Sequence, residues 1–329
     1  MSKTRSRESF VGRRLRLKDL HVFMAVVRSG SMAKAADQLD ISQPAISEVI
    51  SGLEHALRVK LFDRNPRGVE LTACGRALLK RGIAAFDELS QGLAEIEDLV
   101  DPESGEVRVG CLESISASIM PSIIREFKQK YPRVVVQLDN VPTPTMELPE
   151  LRDRRLDLVI ARVRPVGADV FADDLNVEIL FEDHVVVAAG LKSPWARRRH
   201  IDLVELLDEP WIVTNSRAGT ILAEACRAKG LKEPNISLVT YSIHLRTSLV
   251  ATGGYLAVFP ASVLRLNAER FALKVLPVEL PTRPWPVAMV TLKNRTQSPA
   301  AQRFIDHVRV FTKPLADHLL QQDVRSESA

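Results

Sequence analysis

Apolar residues in the first hundred positions recur with helical spacing, and the phase of each stretch shows which face turns inward. Leu20, Phe23, Met24 and Val27 fall at i, i+3, i+4 and i+7, one apolar face of a helix from about Leu17 to Arg28. Ser29-Gly30 ends it, and Ser31 is placed to cap a second helix whose Ala35, Ala36 and Leu39 face inward. After the turn Leu39-Asp40-Ile41, Ser42 caps a third helix from Gln43 to about Leu57, with Pro44 in its first turn, where no backbone donor is needed. Ile46, Val49, Ile50, Leu53 and Leu57 form its inward stripe, leaving Gln43, Pro44, Ser47, Glu48 and Ser51 outside. A strand pair follows, Leu61-Phe62 and Val69-Glu70-Leu71, joined by a polar turn from Asp63 to Gly68 that carries Arg64 and Arg67.

From Ala73 to about Val100 the pattern predicts one long helix. Leu79, Phe86, Leu93 and Val100 recur every seven residues, with Leu89 and Ile96 between them, the spacing of a coiled-coil-like contact between two copies. Gly82 takes one seam position and loosens that turn; an amphipathic helix packed on its own domain has the same spacing. Residues 101–105 read as a hinge. Strands and helices then alternate: strand Val107–Cys111, helix Ser116–Lys130, strand Val134–Asp139, a shorter helix over about Thr145–Arg155, strand Leu156–Arg162. A second block from about Phe181 to Ser262 holds strands Val185–Ala189, Trp211–Thr214 and Ile236–Val239, with helices Thr220–Lys229 and Ile243–Ala251. The tail from about Leu273 adds two strands and the helix Ala300–Phe311. This order predicts a mainly parallel sheet with helices on both faces.

Charge changes the picture. The 329 residues carry a net charge of only +4, yet residues 1–75 hold 13 Lys/Arg against 8 Asp/Glu, while the rest is nearly balanced. Within that segment residues 1–16 read as a mobile basic arm, and the asymmetry points to a polyanionic partner. Three scattered cysteines, Cys74, Cys111 and Cys226, fit neither a disulfide framework nor a metal site. The basic start lacks the apolar core of a secretory leader, and the longest apolar stretches fall far short of the roughly 20 residues a spanning helix needs. The expectation is a cytoplasmic protein without membrane contact.

The segment GSMAKAADQLDISQPAISEVISGLEHALRVKLFDRNPRGVELTACG, residues 30–75, resembles the DNA-binding module of LysR-type transcriptional regulators. LRDRRLDLVIAR (151–162) and SLVATGGYLAVFP (248–260) resemble that family's effector domain, and about 300 of the 329 residues are covered. The resemblance implies a multidomain α+β and α/β protein: an N-terminal winged helix-turn-helix, a long linker helix, and a two-lobed Rossmann-like effector-binding domain folded like type 2 periplasmic binding proteins. Mapped onto this chain, it gives an arm over 1–16, the DNA-binding domain over 17–75, the linker and dimerisation helix over 76–100 and a hinge over 101–105. The effector domain then spans 106–312, with lobe I at about 106–163 and 269–312 and lobe II at about 164–268, before a tail over 313–329. It also implies a dimer, assembling into a tetramer, that regulates transcription from double-stranded promoter DNA under a small-molecule effector, with RNA polymerase a candidate partner.

Both lines place the third helix in the major groove. The candidate DNA-facing residues are Ser31 and Lys34 at the second helix, Ser42, Gln43, Pro44, Ser47, Glu48 and Ser51 at the third, with Arg64 and Arg67 as the wing. Gln43 suits an adenine edge, and Pro44 and Ser47 allow close approach or thymine-methyl contact. Two departures stand out: Glu48 and Ser51 occupy positions where family members often carry basic residues, and Cys74 replaces a small apolar residue. The dimerisation candidates are Leu79, Phe86, Leu89, Leu93, Ile96 and Val100.

Strand ends supply the effector candidates Ser114, Ser116, Thr145, Arg162, Thr214 and Ser242, with Ser114 and Ser116 at a helix N-terminus suited to a carboxylate. Plain helix capping is the other reading of each Ser and Thr. No cofactor or metal is expected beyond the effector; the seven histidines show no ligand spacing, and no nucleophile elbow appears. The alternatives are a non-specific architectural DNA binder, or a cytosolic solute-binding or enzymatic α/β protein with an accessory DNA-binding module.

Overall fold

The structure, a computed structural model, describes residues 14–65, 68–141, 147–163, 173–214 and 221–326. It divides into two compact units, the first ending at Ser90 and the second beginning at Gln91.

The first unit contains α1 (Leu17–Ser29), α2 (Met32–Leu39), α3 (Gln43–Leu57), β1 (Phe62–Asn65), β2 (Gly68–Leu71) and most of α4 (Ala73–Val100). The inward face of α1 is wider than its spacing predicts. Val22, Ala25 and Val26 are buried with Leu20 and Phe23, whereas Met24 and Val27 are half-buried, because α2, α3 and the strand pair enclose α1 from several sides. The Phe23 and Phe62 rings meet at 5.3 Å, tilted by 46°, in this core, beside fully buried Ile46 and Ile50. Glu54 pins the strand pair to α3. Its carboxylate accepts from Leu61 N–H at 2.7 Å, Phe62 N–H at 3.3 Å and Lys60 Nζ at 3.0 Å. Burial pushes this carboxyl up, but the Leu61, Lys60 and Phe62 donors outweigh it and hold its pKa below the ordinary value.

The second unit holds two sheets. β3 (Ser104–Cys111) lies between β4 (Arg133–Asn140) and β5 (Leu158–Arg162), parallel to both, and β12 (Trp285–Leu292) and β6 (Leu175–Asp183) extend the sheet antiparallel in the order β4-β3-β5-β12-β6. The other sheet has the order β11-β7-β10-β8-β9: β7 (Val185–Gly190), β8 (Trp211–Val213), β9 (Ile236–Val239), β10 (Leu256–Pro260) and β11 (Leu273–Val275). There β8, β9 and β10 are parallel and β7 and β11 antiparallel. Both sheets are therefore mixed rather than mainly parallel.

The lobe boundaries also move. β6 belongs to lobe I, because it pairs with β12 along its length and sends Leu180 and Phe181 into the core under Phe304 and Val308. β11 belongs to lobe II through its pairing with β7. The chain thus crosses between lobes at Asp183-His184, and again between β11 and β12.

Four other elements depart from their expected bounds. The hinge shortens to residues 101–103, because Ser104 and Gly105 already pair with Arg133 and Val134. The helix expected over Ser116–Lys130 splits into α5 (Glu113–Ser116) and α6 (Met120–Lys130), since Pro121 has no N–H for the Ala117 carbonyl and starts a new helix instead. The next helix is a single turn, α7 (Pro149–Arg152). The last, α11, runs from Pro299 to Ser326, so most of the expected tail continues that helix. Helices α8 (Ile221–Ala228), α9 (Ile243–Ala251) and α10 (Ala261–Phe271) complete lobe II.

Candidate nucleic-acid interface and inter-lobe cleft

α3 is one-sided. Ile46, Ile50 and Leu53 are buried and Val49 and Leu57 half-buried, while Gln43, Pro44, Glu48 and Ser51 are exposed and Ser47 is half-exposed. Ser42 caps it, its hydroxyl accepting from Ala45 N–H at 3.4 Å. Ser31 occupies the corresponding position before α2 without a side-chain cap bond, and Lys34 projects into solvent from the next turn. The strand pair is drawn against the α1–α2 turn, Val69 N–H donating to the Gly30 carbonyl at 3.3 Å. Gly68 makes that approach possible: its φ is +139°, and a Cβ there would lie 2.5 Å from the Gly30 oxygen. Arg64 lies within β1, paired with Val69, and not in the connecting turn. Its side chain and the whole of Arg67 lie outside the described residues.

α4 has two regimes. Leu79 packs into the first unit's core, Phe86 meets the His21 ring at 6.0 Å, and Gly82 leaves room for Leu20 and Met24 of α1. Leu79 and Phe86 are thus half-buried against their own domain, a contact that the packed-helix alternative also calls for. Farther along, Leu89, Leu93, Ile96 and Val100 are 49–83% exposed, a stripe of large apolar side chains open to solvent.

In the second unit the ends of β3, β5 and β6 converge on the start of α10. Arg162 ends β5, and its Nη2 donates to Asp183 Oδ2 at 2.6 Å and to Ser262 Oγ at 3.3 Å, while Nη1 donates to Ser114 Oγ. Asp183 also accepts from Ser262 N–H at 3.1 Å and Oγ at 2.6 Å. Both charged side chains are under 10% exposed. Ser114 and Arg162 come from lobe I and Ser262 from lobe II, so this is a bridge at the crossover. Arg162, an effector candidate by its place at a strand end, is thus already paired with Asp183.

Ser242 caps α9, accepting from Leu245 N–H at 3.3 Å, and its hydroxyl donates to Glu113 Oε1 at 3.4 Å. The same hydroxyl thus caps α9 and makes a contact between the lobes. Ser116, by contrast, ends α5 instead of starting a helix. Thr214 is half-buried just past β8, and Thr145 lies outside the described residues.

The spacing left Glu113, Asp183, Arg246 and Ser262 unremarked. Arg246 had a usable signal, one turn after the capping Ser242. Asp183 and Ser262 are brought together only by the fold.

Burial pushes the Cys111 thiol up to about 11, Ser116 opposing it, and also raises Cys226, which disfavours thiolate chemistry at either. Among the described residues no group of three or more His, Cys, Asp or Glu is arranged to hold a metal, and no helix is long and apolar enough to cross a membrane.

Comparison with known proteins bears on both sites. The profile of the bacterial regulatory helix-turn-helix protein, lysR family, matches residues 17–76, and that of the LysR substrate binding domain matches residues 101–311. The chain is 27% identical over 308 residues to the transcriptional dual regulator GltC of Bacillus subtilis, covering 92% of this chain and 100% of that protein. It is 29% identical over 298 residues to the HTH-type transcriptional regulator TdcA of Escherichia coli, covering 89% and 92%. Among solved structures, a full-length OxyR variant from Pseudomonas aeruginosa superposes with a TM-score of 0.62 at 19% identity, covering 91% of this chain and 95% of that one. Full-length CbnR in complex with its target DNA gives 0.60 at 22%, covering 90% and 100%.

Proposed function

This chain belongs to the LysR family of transcription regulators, not to an enzyme family, and we propose that α3 reads operator DNA while a small effector binds between the two lobes of the second unit. The observation that carries the DNA reading is the division of α3 into a buried apolar face and an outer face of Gln43, Pro44, Ser47, Glu48 and Ser51. That face bears no Lys or Arg, so its contacts are to bases, and phosphate affinity falls to Lys34, Arg58, Arg64, Arg67 and the basic arm. The relative solved on its target DNA shares this fold over its whole length.

The exposed stripe of α4 is the surface on which two copies pair, giving pseudo-palindromic half-sites spaced by whole helical turns, and a pair of dimers makes the tetramer. The effector acts by binding one quaternary arrangement better than the other, which changes how RNA polymerase meets the promoter. No cofactor enters this scheme, and its setting is the cytoplasm.

Selection from random duplexes, followed by gel shifts, tests the reading. The protein should prefer a dyad-symmetric site, and Gln43→Ala should relax preference at one position per half-site at a cost of about 1–3 kcal/mol. Equal affinity for selected and random duplexes would refute it.

A further inference from the structure

A lobe I carboxylate occupies the start of a lobe II helix. Ile243 N–H, in the first turn of α9, donates to Glu113 Oε1 at 2.9 Å, and the Ser242 hydroxyl donates to the same atom. Glu113 comes from α5, so lobe I places its own anion where the free N–H groups and dipole of α9 favour negative charge.

One turn into α9 lies Arg246, only 3% exposed. Its Nη1 donates to the Val258 carbonyl at 3.1 Å, and the guanidinium lies 4.7 Å from the centre of the Phe259 ring. Its Nε is buried and has no hydrogen-bond partner among the described residues. Burial lowers its pKa to about 10, Glu113 opposing that shift and Arg162 adding to it, so the group stays charged near neutrality. Glu113 is thus near enough to be felt by the guanidinium, yet it spends its oxygen on Ile243 and Ser242. A buried charge with a donor left over among the described residues is costly, and a bound ligand's acceptor would relieve that cost.

We propose that the effector carries a carboxylate and that Glu113 is its tethered competitor. This rests on the inter-lobe reading above and gives that site a ligand class and a mechanism. The ligand's carboxylate takes the place of Glu113 on Ile243 N–H and the Ser242 hydroxyl, and gives Arg246 Nε its acceptor. Released, Glu113 no longer ties lobe I to α9, so binding itself alters the contact between lobes.

Acetate is the probe. Melting of the full-length protein is followed by tryptophan fluorescence against sodium acetate, with sodium chloride at equal ionic strength as reference. In the wild type the tethered carboxylate competes at an effective concentration of millimolar or more, so acetate should act no differently from chloride. Glu113→Ala vacates the seat, and acetate should then raise the melting temperature above chloride, with half-maximal effect at least about tenfold below any wild-type response. Glu113→Gln keeps the shape and an acceptor, so it guards against misfolding; it should respond to acetate more strongly than wild type and less than Glu113→Ala. Adding Arg246→Met to Glu113→Ala should abolish the acetate-specific shift.

The proposal is overturned if acetate and chloride act alike on both Glu113 variants, or if the shift survives loss of Arg246. A Glu113→Ala acetate shift that is lost on adding Ser114→Ala but unchanged by Arg246→Met would likewise overturn it while leaving the cleft in place. Binding that ignores all three positions would remove the cleft reading as well.

Discussion

Replacing Arg162 by methionine tests whether the crossover is held by a buried ion pair. The side chains of Arg162 and Asp183 are 7% and 4% exposed, and their contact is 2.6 Å. The substitution removes the donors to Asp183, Ser262 and Ser114 and leaves the Asp183 carboxylate buried with the Ser262 N–H and hydroxyl as its remaining donors among the described residues. Breaking a buried pair from one side costs about 3–5 kcal/mol, and the surviving Ser262 bonds place the expected loss near the lower end, about 3 kcal/mol. Trp195, Trp211 and Trp285 all lie beyond Gln91, so tryptophan emission reports the second unit alone. With a urea slope of about 2–3 kcal/mol per molar, the midpoint should fall by about 1–1.5 M. Arg162→Met combined with Asp183→Leu should recover most of that loss, because the stranded charge is then gone and the site is apolar. A single-variant midpoint within about 0.3 M of wild type, or a double variant worse than the single, would refute the reasoning.

Two further outcomes are expected. Glu54→Gln keeps one acceptor for Leu61 and Phe62 but loses the charge, and should cost the first unit about 1–2 kcal/mol by far-ultraviolet circular dichroism melts. Because the folded-state pKa of Glu54 lies below its unfolded value, its contribution is complete above the ordinary 4.5 and is lost as pH falls through that window; the variant should lack this loss, and identical acid profiles would contradict the assignment. Leu93→Ser with Ile96→Ser, at positions 62% and 59% exposed, should weaken self-association without lowering melting temperature measured at a concentration where both proteins are monomeric. Light scattering that finds the wild type already at 36.6 kDa at micromolar concentration would remove the contact.

The DNA-binding unit was legible because its determinants are local. Helical phase, the cap at Ser42 and Pro44 in the first turn set α3 residue for residue. The long helix was legible in extent but not in allegiance: seven-residue spacing is the same whether Leu79 and Phe86 meet a second copy or α1, and Gly82, read as a weak seam, proves to be the space into which Leu20 and Met24 fit. In the effector half most strands were found, but β6 was missed, and the division of strands between the lobes was not legible. β6 reads like any half-buried strand, and its assignment to lobe I depends on β12, about a hundred residues away. The same holds for the cleft. Ser114 and Ser242 follow from strand and helix ends, whereas Asp183 and Ser262 become partners only once two lobes face each other. Arg162 shows the consequence: a basic residue at a strand end looks available for a ligand until the sequence-distant carboxylate that claims it is known.

The second unit also contains a direct physical route between its cleft and the end of α4. β3 starts at Ser104, immediately after the short hinge, and ends at Cys111, two residues before Glu113. Eight strand residues span about 26 Å and resist stretching, so the two ends of β3 move together. The hinge end is fastened as well. Arg303 of α11 grips Asp98 with two bonds of 2.6 and 2.9 Å, and Arg133 of β4 reaches Asp101 at 2.6 Å and Glu103 at 3.2 Å. Asp98 and Arg303 are only about a fifth to a quarter exposed, which protects that pair from the screening that weakens surface ion pairs. The final turns of α4 are therefore tied to lobe I, while the links of lobe II to lobe I include two crossovers, the Arg162 bridge, the Glu113 contact and the packing of Ala117. A ligand that displaces Glu113 changes the relation of lobe II to that body without having to deform β3. On that proposal the signal would leave as a rotation between lobes rather than a strain passed along the strand, because a packed sheet stays in register while a hinge of two chain crossings can turn.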